Sequence, residues 1–177
     1  LGENGKPMKY LGVRYDITES ELERHNARGI LGAIDAAYAF IEFDLAGHVL
    51  TANRNFLALM GYGLEDIKGK HHRMFVEPAH AQSTEYTSFW RDLNDGQSRS
   101  QVFKRITRSG EPVWIQAVYA PVKDEMGRVV KIVKIATDVT AEHRANEMLR
   151  QAVEQARRVA AAAQAGDLAQ RIPLDGM

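Results

Sequence analysis

Hydrophobic and polar positions alternate with a period of two over residues 100–106, 113–120 and 129–137. Such alternation predicts strands with one buried face. The turns between them, Arg108-Ser109-Gly110-Glu111 and Asp124-Glu125-Met126-Gly127, carry the residues that reverse a chain tightly. Two shorter strands are predicted earlier, at 40–44 and 49–52, around the turn Leu45-Ala46-Gly47-His48. Between these strand groups the period lengthens to that of helices. Asn53 to Met60 places Phe56, Leu57 and Met60 on one side and stops at Gly61-Tyr62-Gly63. A single turn follows over 64–67, then the His-rich stretch Lys70-His71-His72-Arg73-Met74-Phe75, a loop punctuated by Pro78, and a longer helix over 83–94. The order is two strands, several short helices and three strands.

Long helices flank this block. Thr18-x-x-Glu21 is a capping box, and Leu22, Ile30, Leu31 and Ile34 give a broken apolar face to about Ala37, so 19–37 reads as a connecting helix. From 141 onward Ala145, Leu149, Ala152, Ala156, Val159 and Ala163 recur at three- and four-residue spacing, the seam of a helix that meets another helix. The run 159–163 is small-sided, so the contact would be close and weak, which suits a switch. Residues 3–18 can be laid over residues 125–140, most pairs being identical or conservative, and both copies end in Asp-[Ile/Val]-Thr. The simplest explanation is that 1–18 is the closing strand of an upstream repeat of the same domain.

Composition narrows the classes. In 177 residues, 23 Lys and Arg balance 23 Asp and Glu, so no positive field attracts nucleic acid or an anionic membrane. Without cysteine there is no thiolate nucleophile, disulfide or Cys-ligated metal, which is compatible with the cytoplasm. No apolar run approaches the ~20 residues of a membrane helix, and no nucleotide-cradling, zinc-protease or serine-elbow motif is present, so an enzyme is not expected.

The element order, with Asn53-x-x-Phe56 opening the first short helix, the Gly turn of the last hairpin and the terminal Asp138-Val139-Thr140, resembles a PAS sensory domain over 38–140. The segments 69–76 and 114–117 are similar to those of tandem-PAS bacterial chemoreceptors of the soluble aerotaxis and biofilm-dispersal type. Residues 165–172 look like the start of a HAMP-like signalling helix. The resemblance implies an α+β fold, a five-stranded antiparallel sheet with short helices on one face, whose interior holds a redox- or gas-responsive cofactor. FAD is favoured, with haem b as the alternative and a cofactor-free interaction module as the rival class. It further implies a homodimer that acts on a histidine kinase and its coupling protein through downstream domains.

Residues suited to a flat, polar-edged guest are Trp90, Phe89, His71, His72, Arg105, Trp114, Asn53 and Asn55. Trp90 can stack on an isoalloxazine ring. His71, His72 or His80 would be the haem ligand, and adjacency lets at most one of the first pair face a pocket. Zinc is disfavoured by their spacing. Asn53 also serves as a helix N-cap. Trp114 and Gln116 share one strand face and Ile115 and Ala117 the other, without an indication of which is inward. Asp138 and Thr140 are the expected signal relay, Thr140 as the N-cap of the last helix and Asp138 bonded to neighbouring backbone or to a strand Lys or Arg.

Overall fold

A computed structural model describes the backbone of residues 6–171 and the side chains of residues 18–166. Its centre is one antiparallel sheet of β1 (Ala39–Phe43), β2 (Val49–Ala52), β3 (Arg99–Ile106), β4 (Pro112–Lys123) and β5 (Val129–Asp138), in the order β2-β1-β5-β4-β3. β5, the last strand, lies in the middle between β1 and β4. Whatever moves the end of β5 is therefore felt by both halves of the sheet. The expected α+β class and strand number hold.

The helices between β2 and β3 cover one face: α2 (Arg54–Met60), α3 (Leu64–Ile67), a 3-10 turn over His72–Phe75, α4 (Pro78–Ala81) and α5 (Thr84–Asn94). Local chemistry sets their ends. Asn53 Oδ1 accepts the Phe56 N–H at the start of α2, and Ser83 Oγ accepts the Tyr86 N–H at the start of α5. Gly61 ends α2 in the left-handed conformation at φ 78°. The inner face of β4 carries Ile115, Ala117 and Tyr119, so Trp114 and Gln116 face outward. β3 contributes Phe103 and Arg105 to the interior, and β5 contributes Ile132, Lys134 and Ala136. Against them pack Phe56, Met60, Ile67, Phe75, Tyr86, Trp90 and Leu93 from the helical layer.

Two helices leave this body. α6 (Thr140–Arg171) extends for about 48 Å at 1.5 Å per residue, with Met148, Leu149, Val153 and Val159 exposed along it. α1 spans Lys6–Ala37 as one helix. Its backbone is helical where the sequence predicts a strand before Asp16. The helix expected over 19–37 lies within it. The expected end of an upstream repeat at 1–18 falls, but for Thr18, outside the residues whose side chains are described. The HAMP-like start at 165–172 likewise lies mostly outside them.

Candidate functional site

The segment after α3 is laced to the β1–β2 turn. Val49 N–H donates to Lys70 O, Gly69 N–H to Val49 O and His72 N–H to Gly47 O, each at 2.8 Å. This extended stretch fixes which of the paired histidines turns inward. His71 stays at the edge, its Nδ1 accepting the Arg73 N–H to start the 3-10 turn. His72 points into the interior and is fully buried.

There His72 joins a polar chain. Its Nδ1 lies 2.8 Å from the Tyr86 hydroxyl and its Nε2 2.9 Å from the Tyr119 hydroxyl, which also accepts from Arg105 Nη2 at 3.0 Å. Burial, with Arg105 and Lys134 adding repulsion, holds the imidazole well below its ordinary pKa, so His72 is neutral. Burial pushes the Tyr86 hydroxyl up to about 12. The neighbouring Trp90 N–H draws it the other way, although its geometry falls short of a full hydrogen bond. Tyr119 is raised by burial against the opposing pull of Arg105.

Two basic side chains complete the interior. Arg105 donates from Nη1 to its neighbour's carbonyl, Lys104 O, at 2.9 Å, while its Nε–H has no partner. Lys134, 1% exposed, places Nζ 4.9 Å from the Tyr119 ring centre and 5.5 Å from that of Phe56. Burial first, and then Arg105, holds its amine well below the ordinary lysine pKa. Neither basic group has a carboxylate partner among the described residues. The interior is thus rich in N–H donors and poor in acceptors.

Among the residues singled out from the sequence, His72, Trp90, Phe89 and Arg105 come together here. Trp90 is buried, and the rings of Phe43, His72 and Phe89 meet it in T-shaped contacts at 5.6, 5.3 and 5.9 Å. With those rings around it, the orphaned indole N–H is what Trp90 has to offer. Asn53 and Asn55 are elsewhere: Asn53 bonds the Phe40 N–H and Tyr38 O, and Asn55 bonds Asp35 O, clamping the end of α1 to α2. His80 sits at a surface recess lined by Val76, Glu77 and residues 101–105. The structure adds Tyr86, Tyr119 and Lys134 to this cluster. Period two puts Lys134 on one face with Ile132 and Ala136, but Val133 and Ile135 make the other face of β5 equally apolar, so alternation alone does not turn the lysine inward.

Trp114 stands outside, at the root of α6. Its ring stacks on His143 at 4.2 Å and 13°. Its carbonyl accepts the Val139 N–H at 2.8 Å, and its N–H donates to Thr140 Oγ1 at 3.0 Å. Thr140 is the first residue of α6 rather than its cap. Asp138 Oδ1 does the capping, accepting the Thr140 N–H at 2.9 Å and its hydroxyl at 2.5 Å.

Residues 49–136 match the protein family described as the PAS fold. This segment is a PAS domain. The chain is 41% identical over 136 residues to the biofilm dispersion protein BdlA of Pseudomonas aeruginosa, covering 77% of this chain and 33% of that protein. It is 28% identical over 99 residues to the aerotaxis receptor of Escherichia coli, covering 56% of this chain and 19% of the receptor. Over 144 residues it is 24% identical to the E. coli oxygen sensor protein DosP, covering 78% and 18%. The chain spans a third or less of each of these relatives. Among solved structures, a PAS domain of a Colwellia psychrerythraea protein superposes with a TM-score of 0.57 at 23% identity, covering 65% of this chain and 98% of that one. A light-oxygen-voltage domain studied with a flavin analogue gives 0.56 at 20%, covering 71% and 96%. Both share the PAS fold. Among the described residues no helix is long and apolar enough to cross a membrane.

Proposed function

We propose that this PAS domain is the sensory module of a chemotaxis-type signal transducer, not itself an enzyme, which holds a guest against Arg105, Lys134 and Trp90 and passes its state into α6. The observation that carries this reading is the pair of orphaned interior donors, Trp90 Nε1–H and Arg105 Nε–H, in an interior that also buries the Arg105 guanidinium and the Lys134 amine without a carboxylate. Unpaired buried donors cost about 1–3 kcal/mol each, and a group that pairs them recovers that cost.

FAD is the cofactor favoured by the resemblance, and the donor set fits it. An isoalloxazine presents carbonyl oxygens and ring nitrogens along one edge, and when bound it would supply a redox-dependent charge there. Arg105, Lys134 and the Trp90 N–H would hold that edge. Entry of so large a ring requires Phe89 and Trp90 on α5 to move off the sheet, because Phe89 lies 4.9 Å from Tyr119 between ring centres. Haem fits less well: both His72 nitrogens are committed to tyrosine hydroxyls, His71 stays at the edge with Nδ1 accepting the Arg73 N–H and so its proton on Nε2, and His80 sits at a surface recess.

The route outward is short. Lys134 and Asp138 lie on the same strand, four residues or ~13 Å apart. Tyr119 and Trp114 lie on β4 beside it. A guest that shifts β4 against β5 alters the hydrogen bonds that root α6. Helix α6 would pair with that of a second copy through its exposed seam and act, through downstream domains, on a histidine kinase and its coupling protein in the cytoplasm. Helix α1 would join it to an upstream repeat. The test is an absorption spectrum of the purified protein with identification of any extracted chromophore, followed by hydrogen exchange at residues 138–143 with and without the guest. A flavin or other guest that changes exchange there supports the reading. A guest-free domain whose α6 root responds to nothing added leaves only the interaction module.

A further inference from the structure

We infer that Asn53 and Asn55 are positioning residues for α1: they clasp the end of that helix to α2, so that a change in the interior is passed to α1 as well as to α6. The nature of the guest and the role of α6 are independent of this clasp. A helix leaves its last carbonyls without partners, and a glycine just past the end commonly turns the chain back to satisfy them. Here Tyr38 and Ala39 follow Ala37, and the chain runs straight into β1. The Tyr38 N–H closes the last turn on Ile34 O at 2.9 Å. Donors for the carbonyls beyond it come from α2. Asn55 Nδ2 lies 3.0 Å from Asp35 O, 3.3 Å from Ala36 O and 3.1 Å from Tyr38 O, and Asn53 Nδ2 lies 2.8 Å from Tyr38 O. Asn53 is itself fixed on two sides: its Oδ1 accepts the Phe40 N–H at 2.9 Å and the Phe56 N–H at 3.0 Å, and its N–H donates to Phe40 O at 2.9 Å.

The body of α1 adds little hold of its own. From Thr18 to Ala37 every side chain is exposed except the half-buried Ile34, and Leu22, Ile30 and Leu31 are open to solvent. The direction of the helix is therefore set at its clasped end. Behind the asparagines stands the interior. Phe56 follows Asn55 directly and is buried, its ring meeting Phe75 at 5.3 Å with Lys134 Nζ 5.5 Å from its centre. A displacement of Phe56 rotates the first turn of α2, and the two amides move with it. Both asparagines are only half-buried, so water can replace their bonds and a small displacement suffices to open them.

The chain has no cysteine, so nitroxides at Arg28→Cys on α1 and Lys123→Cys on β4, diluted into unlabelled protein, report the position of α1 by pulsed electron resonance. Asn55→Asp removes the donor and sets a carboxylate against the carbonyls. As the second residue of α2 it suits the positive end of that helix, so the fold is kept. Asn55→Ala, which adds no charge, is the second variant and should act in the same direction. The expected result is a broadened distance distribution and amide exchange about tenfold faster over residues 35–38, with exchange at 138–143 within about twofold of the parent. Phe56→Leu supplies the interior change. It should shift the mean distance in the parent and leave it alone in Asn55→Asp, which a bond of merely structural role would not require. Ile67→Val, an interior change on α3 instead of α2, should leave the distance unmoved in both. An α1 that keeps its distance in both Asn55 variants overturns the inference, as does one that ignores Phe56→Leu in the parent or follows Ile67→Val equally. The proposed route through α6, read from the response of 138–143 to a guest, survives each of these failures.

Discussion

Tyr119 and Lys134 stand opposite each other across β4 and β5, with the lysine nitrogen 4.9 Å from the centre of the phenol ring. An amine in that place, without a carboxylate, is pushed toward its neutral form at a cost in stability. Since its folded pKa lies well below its ordinary value, the unfolded chain binds more protons than the folded one between those two values. Stability therefore rises with pH, by up to ~1.4 kcal/mol per unit, from the folded pKa toward about 10.5. Above about 10 the sign reverses, because Tyr86 and Tyr119 hold their protons in the folded state when the unfolded chain has lost them. Lys134→Met should stabilise the guest-free domain by about 1–3 kcal/mol at pH 7 and flatten the rise. Urea unfolding at pH 7, 8 and 9 measures both, and a destabilised variant with the slope intact would show that the amine is compensated.

Acid acts through a different group. His72 is neutral in the fold, so below about pH 6.5 the unfolded chain takes up a proton that the folded one refuses, and stability falls as pH drops. His72→Phe keeps the ring volume but strips Tyr86 and Tyr119 of their shared partner. It should cost about 1–3 kcal/mol at pH 7.5 while weakening the loss between pH 6.5 and 5. Chemical denaturation at the two pH values separates these effects.

Strand positions were legible because period-two alternation and the Gly turns agree, and β2 and α3 fall where expected. The interior cluster was not. Lys134 reads as a surface charge, and with Val133 and Ile135 beside it both faces of β5 look equally apolar, as they do on a central strand. Trp90 was legible as a large buried ring, but its neighbours on β1 and in the 3-10 turn are set by tertiary packing. Choosing His72 over His71 needed the bonds that lace residues 47–49 to 69–72, which no local pattern encodes. At the start of α6 the sequence offers Asp138 and Thr140 two residues apart, and only the pairing of Trp114 with Thr140 shows which side chain caps.

Gly47 ties the turn to the site. Its φ is +89°, and a Cβ there would lie 2.8 Å from His71 Nε2 and 3.2 Å from the Trp90 ring. Gly47→Ala should lose about 1–3 kcal/mol from backbone strain and push both rings, so that Trp90 fluorescence shifts along with the unfolding midpoint. Gly110→Ala is the control: φ there is +87° with nothing within 4 Å of a Cβ. It should show a backbone penalty of similar origin without the fluorescence change. Equal spectra for the two variants would mean that Trp90 is not wedged against the turn.

The last prediction concerns the root of α6. Trp114 holds it by three contacts: its carbonyl on Val139 N–H, its N–H on Thr140 Oγ1 and its ring on His143. The first two are backbone geometry or shared with Asp138, so a side-chain change tests the third. His143→Ala removes the stack and leaves the interior untouched, since His143 contributes nothing to the cluster around Lys134. The stack is worth about 0.5–1.5 kcal/mol, and a Trp114→Ala, His143→Ala double-mutant cycle should return a coupling of that size. Guest binding should stay within twofold of the parent. Amide exchange at residues 139–143 should become faster and lose its dependence on the guest. If His143→Ala keeps that dependence, the signal leaves the sheet through Asp138 and Thr140 alone, and Thr140→Val, which removes the acceptor for the Trp114 N–H, should then abolish it.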